Sequence, residues 1–347
     1  MTKQRAIVIC PGRGTYNKEE LGYLKRHHSD KIDFIAMVDE YRRSHNQTPV
    51  SELDGSETFR TATMTNSENA SPLIYSCALA DFQAIDRDKY DIVAVTGNSM
   101  GWYLALACAG AVSLEGGIEI VNTMGTLMQK EGVGGQVIYP LVDENWHYSQ
   151  DLQDKLDATL VAADKEPGVE VYDSIYLGGM RVLAANKPGI KFLLENLPPV
   201  QERYPMQLYN HSAFHSPLLA QVPAMAHGVL SRSLFSAPTI PMVDGRGHIW
   251  QPWATGLDAL YDYTFGHQVA ETYDFSTAIE VAIKEFAPDK LIVLGPGTTL
   301  GAPVAQQMIR QNWRGTESKK TFVDQQKADP LVLALGIESQ RELAVKK

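Results

Sequence analysis

Apolar positions along this chain fall into two rhythms. Ala6–Cys10 (AIVIC) is a short unbroken apolar run that stops at the glycine turn Pro11–Gly14, the length and punctuation of a buried strand. Asp91–Thr96 (DIVAVT) runs likewise into Gly97-Asn98-Ser99-Met100-Gly101, and Leu291–Leu294 into Gly295-Pro296-Gly297. Helical spacing is weak around Ile32–Tyr41 and clear over Asn69–Ile85; the Ala- and Leu-rich Trp102–Ala109 also reads as a helix. Ser113 is a good N-cap for a further helix ending near Gln129. After Gly132 the composition changes. Gln136–Leu141, a segment near Val169–Tyr172, and Met180–Ala185 read as strands; Asp151–Ala163 and Gly189–Leu197 read as helices. Strands alternating with helices there predict a small α+β subdomain inserted into an α/β protein. The main pattern resumes at Pro205–Tyr209, and the polar stretch beyond Gly315 has no assigned structure. No internal repeat or low-complexity tract breaks the pattern.

Composition narrows the function classes. The 347 residues are 44% hydrophobic and 21% charged, with a formal charge of −10. That is an ordinary globular enzyme without the clustered Lys and Arg that nucleic acid requires. The apolar run near the N-terminus is too short for a secretory core and no stretch is long enough to span a bilayer. A cytosolic location is therefore expected, with no nucleic-acid or membrane partner. Cys10, Cys77 and Cys108 sit in apolar segments without metal-ligand spacing and read as buried thiols.

The strongest local signal is Gly97-Asn98-Ser99-Met100-Gly101 between a strand and a helix. A serine on such a turn is held in a strained conformation, with its oxygen exposed above the sheet edge. The glycines let strand and helix approach closely, and the helix N-terminus offers amides to a developing oxyanion. G-x-S-x-G arises by composition in on the order of one chain in ten of this length, so the strand–turn–helix context carries the reading. Ser99 then needs a base. Of nine histidines, His27, His28 and His45 lie in charged stretches and read as solvated surface. His147, His227, His248 and His267 have no distinguishing context. His211 and His215 stand together in Asn210-His211-Ser212-Ala213-Phe214-His215-Ser216-Pro217. Pro217 disfavours the helix that would make them a metal pair, and sequence chemistry does not choose between them.

These residues carry a resemblance. Pro11-Gly12-Arg13-Gly14 resembles the P-G-Q-G opening of the malonyl-CoA:acyl-carrier-protein transacylase family, which includes the acyltransferase domains of fatty-acid and polyketide synthases. Gly97–Gly101 with Ala105, Ala107, Gly110, Ser113, Leu114 and Glu115 resembles that family's elbow and following helix. Gly125–Gln129 resembles the end of its R-G-x-L-M-Q motif, Ser212–Pro217 its A-F-H-S segment, Gln268 its late glutamine, and Gly295–Gly297 its G-P-G turn. The match spans residues 6–310. It implies an α/β-hydrolase-like large domain (1–131 and 205–315), a ferredoxin-like insert (132–204) and a C-terminal tail (316–347). It further implies Ser99 as nucleophile, His215 as base, Gln268 orienting that histidine through its backbone carbonyl, and the amides of Arg13 and Met100 as oxyanion hole. The implied activity moves an acyl group from acyl-CoA through acyl-Ser99 to the phosphopantetheine thiol of an acyl carrier protein. Both are substrates, and no bound cofactor or metal is needed.

Three positions depart from the pattern. Asn98 stands for a histidine beside the nucleophile and Trp102 for a glutamate, both read as packing changes. Met124 stands where the family has the arginine that grips a substrate carboxylate. Methionine offers an apolar surface, so an uncharged acyl group is expected; the counter-reading is that Arg13 supplies the missing cation. Phe214 resembles the residue that accompanies unbranched units in polyketide acyltransferases. Two other functions fit the residues: an acyl-thioester hydrolase, and a non-catalytic carrier-binding relative. Retention of Ser99, His215 and Gln268 argues against the latter.

Overall fold

The computed structural model describes residues 2–346. In chain order its strands are β1 (Gln4–Cys10), β2 (Tyr90–Gly97), β3 (Gly135–Pro140), β4 (Val171–Leu177), β5 (Met180–Ala185), β6 (Met206–Gln207), β7 (Met242–Val243), β8 (Ile249–Trp250), β9 (Tyr273–Asp274), β10 (Lys290–Val293) and β11 (Val332–Ala334). Six of them form one sheet in the order β11-β10-β1-β2-β7-β8, parallel except for β8. Ala6–Cys10 is fully buried at its centre. Burial on both faces is why this strand reads as a continuous apolar run instead of an alternating one.

The inserted region builds the second sheet, ordered β6-β3-β5-β4-β9. Its chain order is strand, helix Gln150–Ala163, strand, strand, helix Lys187–Asn196, strand. Neighbours among those four strands pair antiparallel, and the fourth lies beside the first, the ferredoxin-like arrangement. β9, from much later in the chain, adds to β4 in parallel. Met206–Gln207 pairs with β3, so Pro205–Tyr209 belongs to this smaller sheet and not to the resumed main pattern. A short alternating run fits either sheet, and only its pairing partner decides.

Helix Leu114–Glu131 starts where Ser113 caps it, the serine side chain accepting from the Gly116 amide. It packs on helix Ser67–Ala84, capped in the same way by Asn66. All three cysteines are free and buried. No helix among the described residues is long and apolar enough to cross a membrane.

The segment after Gly315, set apart by composition as a tail, supplies helix Lys319–Ala328, edge strand β11 and helix Glu338–Ala344. Arg341 of the last helix is buried and pairs with Asp81 at 2.7 Å. Asp81 also meets His28 at 2.7 Å and accepts from Tyr23 Oη and the Gly295 amide. Burial pushes the Asp81 carboxyl up, but His28 and Arg341 more than offset it and hold it below the usual carboxylate range. His28 is thus fully buried and held against Asp81, not solvated surface. Its partners come from distant parts of the chain, Arg341 from the other end, and nothing in the charged stretch around it announces them.

Candidate active site

β2 ends at Gly97, and Ser99 follows with φ 55°, in the left-handed region that costs a non-glycine residue strain. The turn is tight. A Cβ on Gly97 would collide with the Gly101 backbone, and one on Gly101 with the Cys10 carbonyl. The loop after β1 presses on the same turn, since a Cβ on Gly12 would lie 2.6 Å from the Asn98 carbonyl oxygen. Helix Gly101–Cys108 begins directly behind the serine.

His215 reaches Ser99 from the other side of the cavity. Its Nε2 lies 2.7 Å from Ser99 Oγ, and its Nδ1 lies 2.7 Å from the Gln268 carbonyl oxygen. A carbonyl can only accept, so Nδ1 carries the hydrogen and Nε2 presents its lone pair to the serine. Burial lowers the His215 pKa to about 4, against the raising effect of the Gln268 carbonyl; a small further lowering comes from His267. The imidazole is therefore neutral near pH 7 and ready to take a proton. Gln268 follows a single π-turn, Tyr263–His267, a distortion that often marks functional sites. Its side chain donates through Nε2 to the Ser99 carbonyl at 2.9 Å and accepts from Tyr103 Oη at 2.7 Å.

Ser99, Met100, His215, Gln268, Arg13, Met124 and Phe214 all line one cavity of ≈ 40 Å³. Met124 is buried in its wall beside Val121, Met128 and Val269. Neither the Arg13 nor the Met100 amide donates to a protein acceptor among the described residues, as amides reserved for an oxyanion would not. Ser99, Arg13 and Phe214 also line a groove of ≈ 890 Å³ that runs along the second sheet. Asn98 lines that groove with its Oδ1 buried and unpaired. Trp102 is the packing residue: it is fully buried, and its indole donates to Thr264 Oγ1 at 3.0 Å.

His211 is not at the serine. Its Nδ1 meets Gln136 Oε1 at 2.8 Å, and its ring faces the groove. Burial, then the nearby Arg13 charge, lower its pKa to about 3. Gln136 is held in turn by Ser174, whose hydroxyl donates to the Phe214 carbonyl beside the base. Tyr103 and Gln136 were not singled out by sequence. Tyr103 could have been, because it stands four residues after Ser99 on the helix that the serine introduces. Among the described residues, no cluster of three or more His, Cys, Asp or Glu could hold a metal ion.

No family model and no curated protein sequence matches the chain. Solved structures do. An acyl-carrier-protein S-malonyltransferase from Burkholderia pseudomallei 1710b is 17% identical over 98% of each chain, with a TM-score of 0.75. A malonyl-CoA:acyl carrier protein transacylase from Xanthomonas oryzae pv. oryzae is 18% identical over 100% of each, also at 0.75. A malonyl-transacylase solved in complex with a type II polyketide-synthase acyl carrier protein is 16% identical over 99% of each, at 0.74. The chain has the transacylase fold. The likeness runs from end to end, so the fold shared is that of both sheets together and includes the C-terminal edge strand.

Proposed function

We propose that this protein is an acyltransferase that carries an acyl group as an ester on Ser99 between two thiols. The observation that supports it most is the relay Ser99 Oγ–His215 Nε2, His215 Nδ1–Gln268 carbonyl, set at a small cavity beside a long groove. His215 takes the serine proton as Oγ attacks the thioester carbonyl of an acyl-CoA. The oxyanion is held by the amides of Arg13 and Met100. The carbon–sulfur bond breaks and the leaving thiolate takes the proton from His215. A second thiol, the phosphopantetheine of an acyl carrier protein, then gives His215 its proton and attacks the ester. The same bonds form and break in reverse, and Ser99 is regenerated. Both ends are thioesters, so the exchange is near thermoneutral. No aspartate completes the relay: a neutral carbonyl suffices to fix the tautomer, because burial already keeps the imidazole uncharged. The groove would receive the pantetheine arm, consistent with the carrier protein bound by one structural neighbour.

Intact-protein mass spectrometry after mixing with a panel of acyl-CoAs tests this reading. The expected result is one acyl adduct on Ser99, discharged by a thiol acceptor and absent from Ser99→Ala. An adduct that decays to free acid as fast without thiol as with it would make the protein a thioester hydrolase. Failure to form any adduct would leave a carrier-binding relative.

A further inference from the structure

We propose that Arg13 is the anion-recognising residue of this site, and that the acyl group taken is a short chain ending in a carboxylate. The inference rests on the acyl-transfer reading of Ser99. Among the described residues Arg13 is the one charged side chain lining the cavity, and none of those lining it is acidic. Its guanidinium donates to the Ser67 hydroxyl, to the Thr65 carbonyl at 2.6 Å and to the Asn210 carbonyl at 3.1 Å. All three acceptors are neutral. The Nε donor is buried with no partner. The guanidinium also lies 5.4 Å from the centre of the Phe214 ring, within reach of a cation–π contact.

Arg13 is half-buried, and a cation partly removed from water without a counter-charge is disfavoured; that burial lowers its pKa to about 10, still leaving it charged near pH 7. His215 and His211 are both neutral there, so the cavity carries one uncompensated positive charge. A carboxylate on the substrate supplies the missing partner through charge-assisted hydrogen bonds. The position of the cation fits this. Arg13 bonds the hydroxyl of Ser67, and a Cβ on Gly125 would lie 2.6 Å from the Ser67 carbonyl oxygen. The guanidinium thus reaches from the first loop into the same cavity that Met124 and Gly125 line from their helix. Met124 alone predicts a neutral acyl group; Met124 together with Arg13 predicts a relocated cation. The small volume of the cavity favours a short chain.

Binding is measured on Ser99→Ala protein by titration calorimetry with malonyl-CoA and acetyl-CoA, so that no chemistry intervenes. With Arg13 present, malonyl-CoA should bind about 10- to 100-fold tighter, the scale of hydrogen bonds to a charged group. Adding R13Q should remove that preference chiefly by weakening malonyl-CoA. R13K, which keeps the charge without the fork, should keep a reduced preference and covers the case that R13Q does not fold. Equal binding of the two ligands, tighter acetyl-CoA, or a parallel loss of both in the folded Arg13 variants would overturn the proposal. A malonyl preference in binding combined with no malonyl-Ser99 adduct would uphold Arg13 and overturn the acyl-transfer reading instead.

Discussion

The two walls of the cavity differ in how completely they are paired. On the catalytic wall the side chains of the relay are paired: Ser99 with His215, His215 with the Gln268 carbonyl, and the Gln268 side chain with both the Ser99 carbonyl and Tyr103. On the substrate side Arg13 Nε at the cavity and Asn98 Oδ1 in the adjoining groove are buried and unpaired. Buried polar groups are usually satisfied, so unsatisfied ones in a cavity beside a nucleophile point to what enters it. The contrast teaches where each half gets its order. The relay is organised by the fold alone, while the recognition elements face groups the fold does not provide.

Substitutions on the catalytic wall should have the largest effects. Ser99→Ala should abolish the acyl adduct by mass while thermal unfolding stays near that of the unmodified protein. His215→Ala should slow acylation by about two to four orders of magnitude, the contribution of a positioned base. His211→Ala, on the groove, should do far less; equal losses measured by stopped-time mass spectrometry would erase the distinction between relay and groove.

The pH dependence follows from the same burial. His215 titrates at about 4 in the folded protein, so the acylation rate should stay flat as pH falls from 8 to about 5 and drop only through about 4. Stability behaves differently. Folded His215 binds its proton more weakly than the unfolded chain, whose histidines titrate at about 6.5. Between those values the unfolded state holds more protons, so stability falls as pH drops below about 6.5, by up to about 1.4 kcal/mol per unit for this residue. Denaturant unfolding midpoints and initial acylation rates across pH 4–8 separate the two curves. A rate that falls near 6.5 would mean a base more exposed than His215.

A smaller effect probes the second layer of the relay. Tyr103→Phe removes one hydrogen bond to Gln268, worth about 1 kcal/mol, and should lower the acylation rate about fivefold with the pH profile unchanged. No change at all would show that the backbone carbonyl of Gln268 holds His215 without help from its side chain.

How much of this was legible in the sequence depends on how local the determinants are. Ser99 was readable because strand, glycines and helix are contiguous, and Ser113 because a cap acts three residues away. His215 was preferred to His211 in the sequence only by motif resemblance; the structure brings His215, and not His211, to Ser99, with its other nitrogen at the carbonyl of Gln268, 53 positions further on. The C-terminal strand was invisible because three apolar residues, Val332–Ala334, carry little periodicity and gain their meaning from β10. Arg13 was seen as a departure from a motif. That its guanidinium has only neutral partners emerged when Thr65, Ser67 and Asn210 came together around it.

The smallest expected effect tests the substrate wall most sharply. If Met124 marks a site that takes neutral acyl groups, Met124→Arg should create a preference for malonyl-CoA where none existed, by about 1–3 kcal/mol. If Arg13 has taken over the role, the new arginine enters a wall that already holds a cation, and it replaces a buried methionine packed beside Val121 and Met128. Repulsion between the cations and lost apolar contact then offset the added hydrogen bonds. Met124→Arg alone should shift the malonyl-to-acetyl ratio of acylation rates by less than about threefold, within about 0.6 kcal/mol. The decisive protein is the double variant. In an Arg13→Gln background the same Met124→Arg change should recover much of the lost malonyl preference, because the cation returns to the wall from the helix side. The two substitutions would be strongly non-additive, as expected of residues that share one ligand group. Additive effects in this cycle would mean that Arg13 and Met124 act on different parts of the substrate, and the two sides of the wall would then have to be read separately.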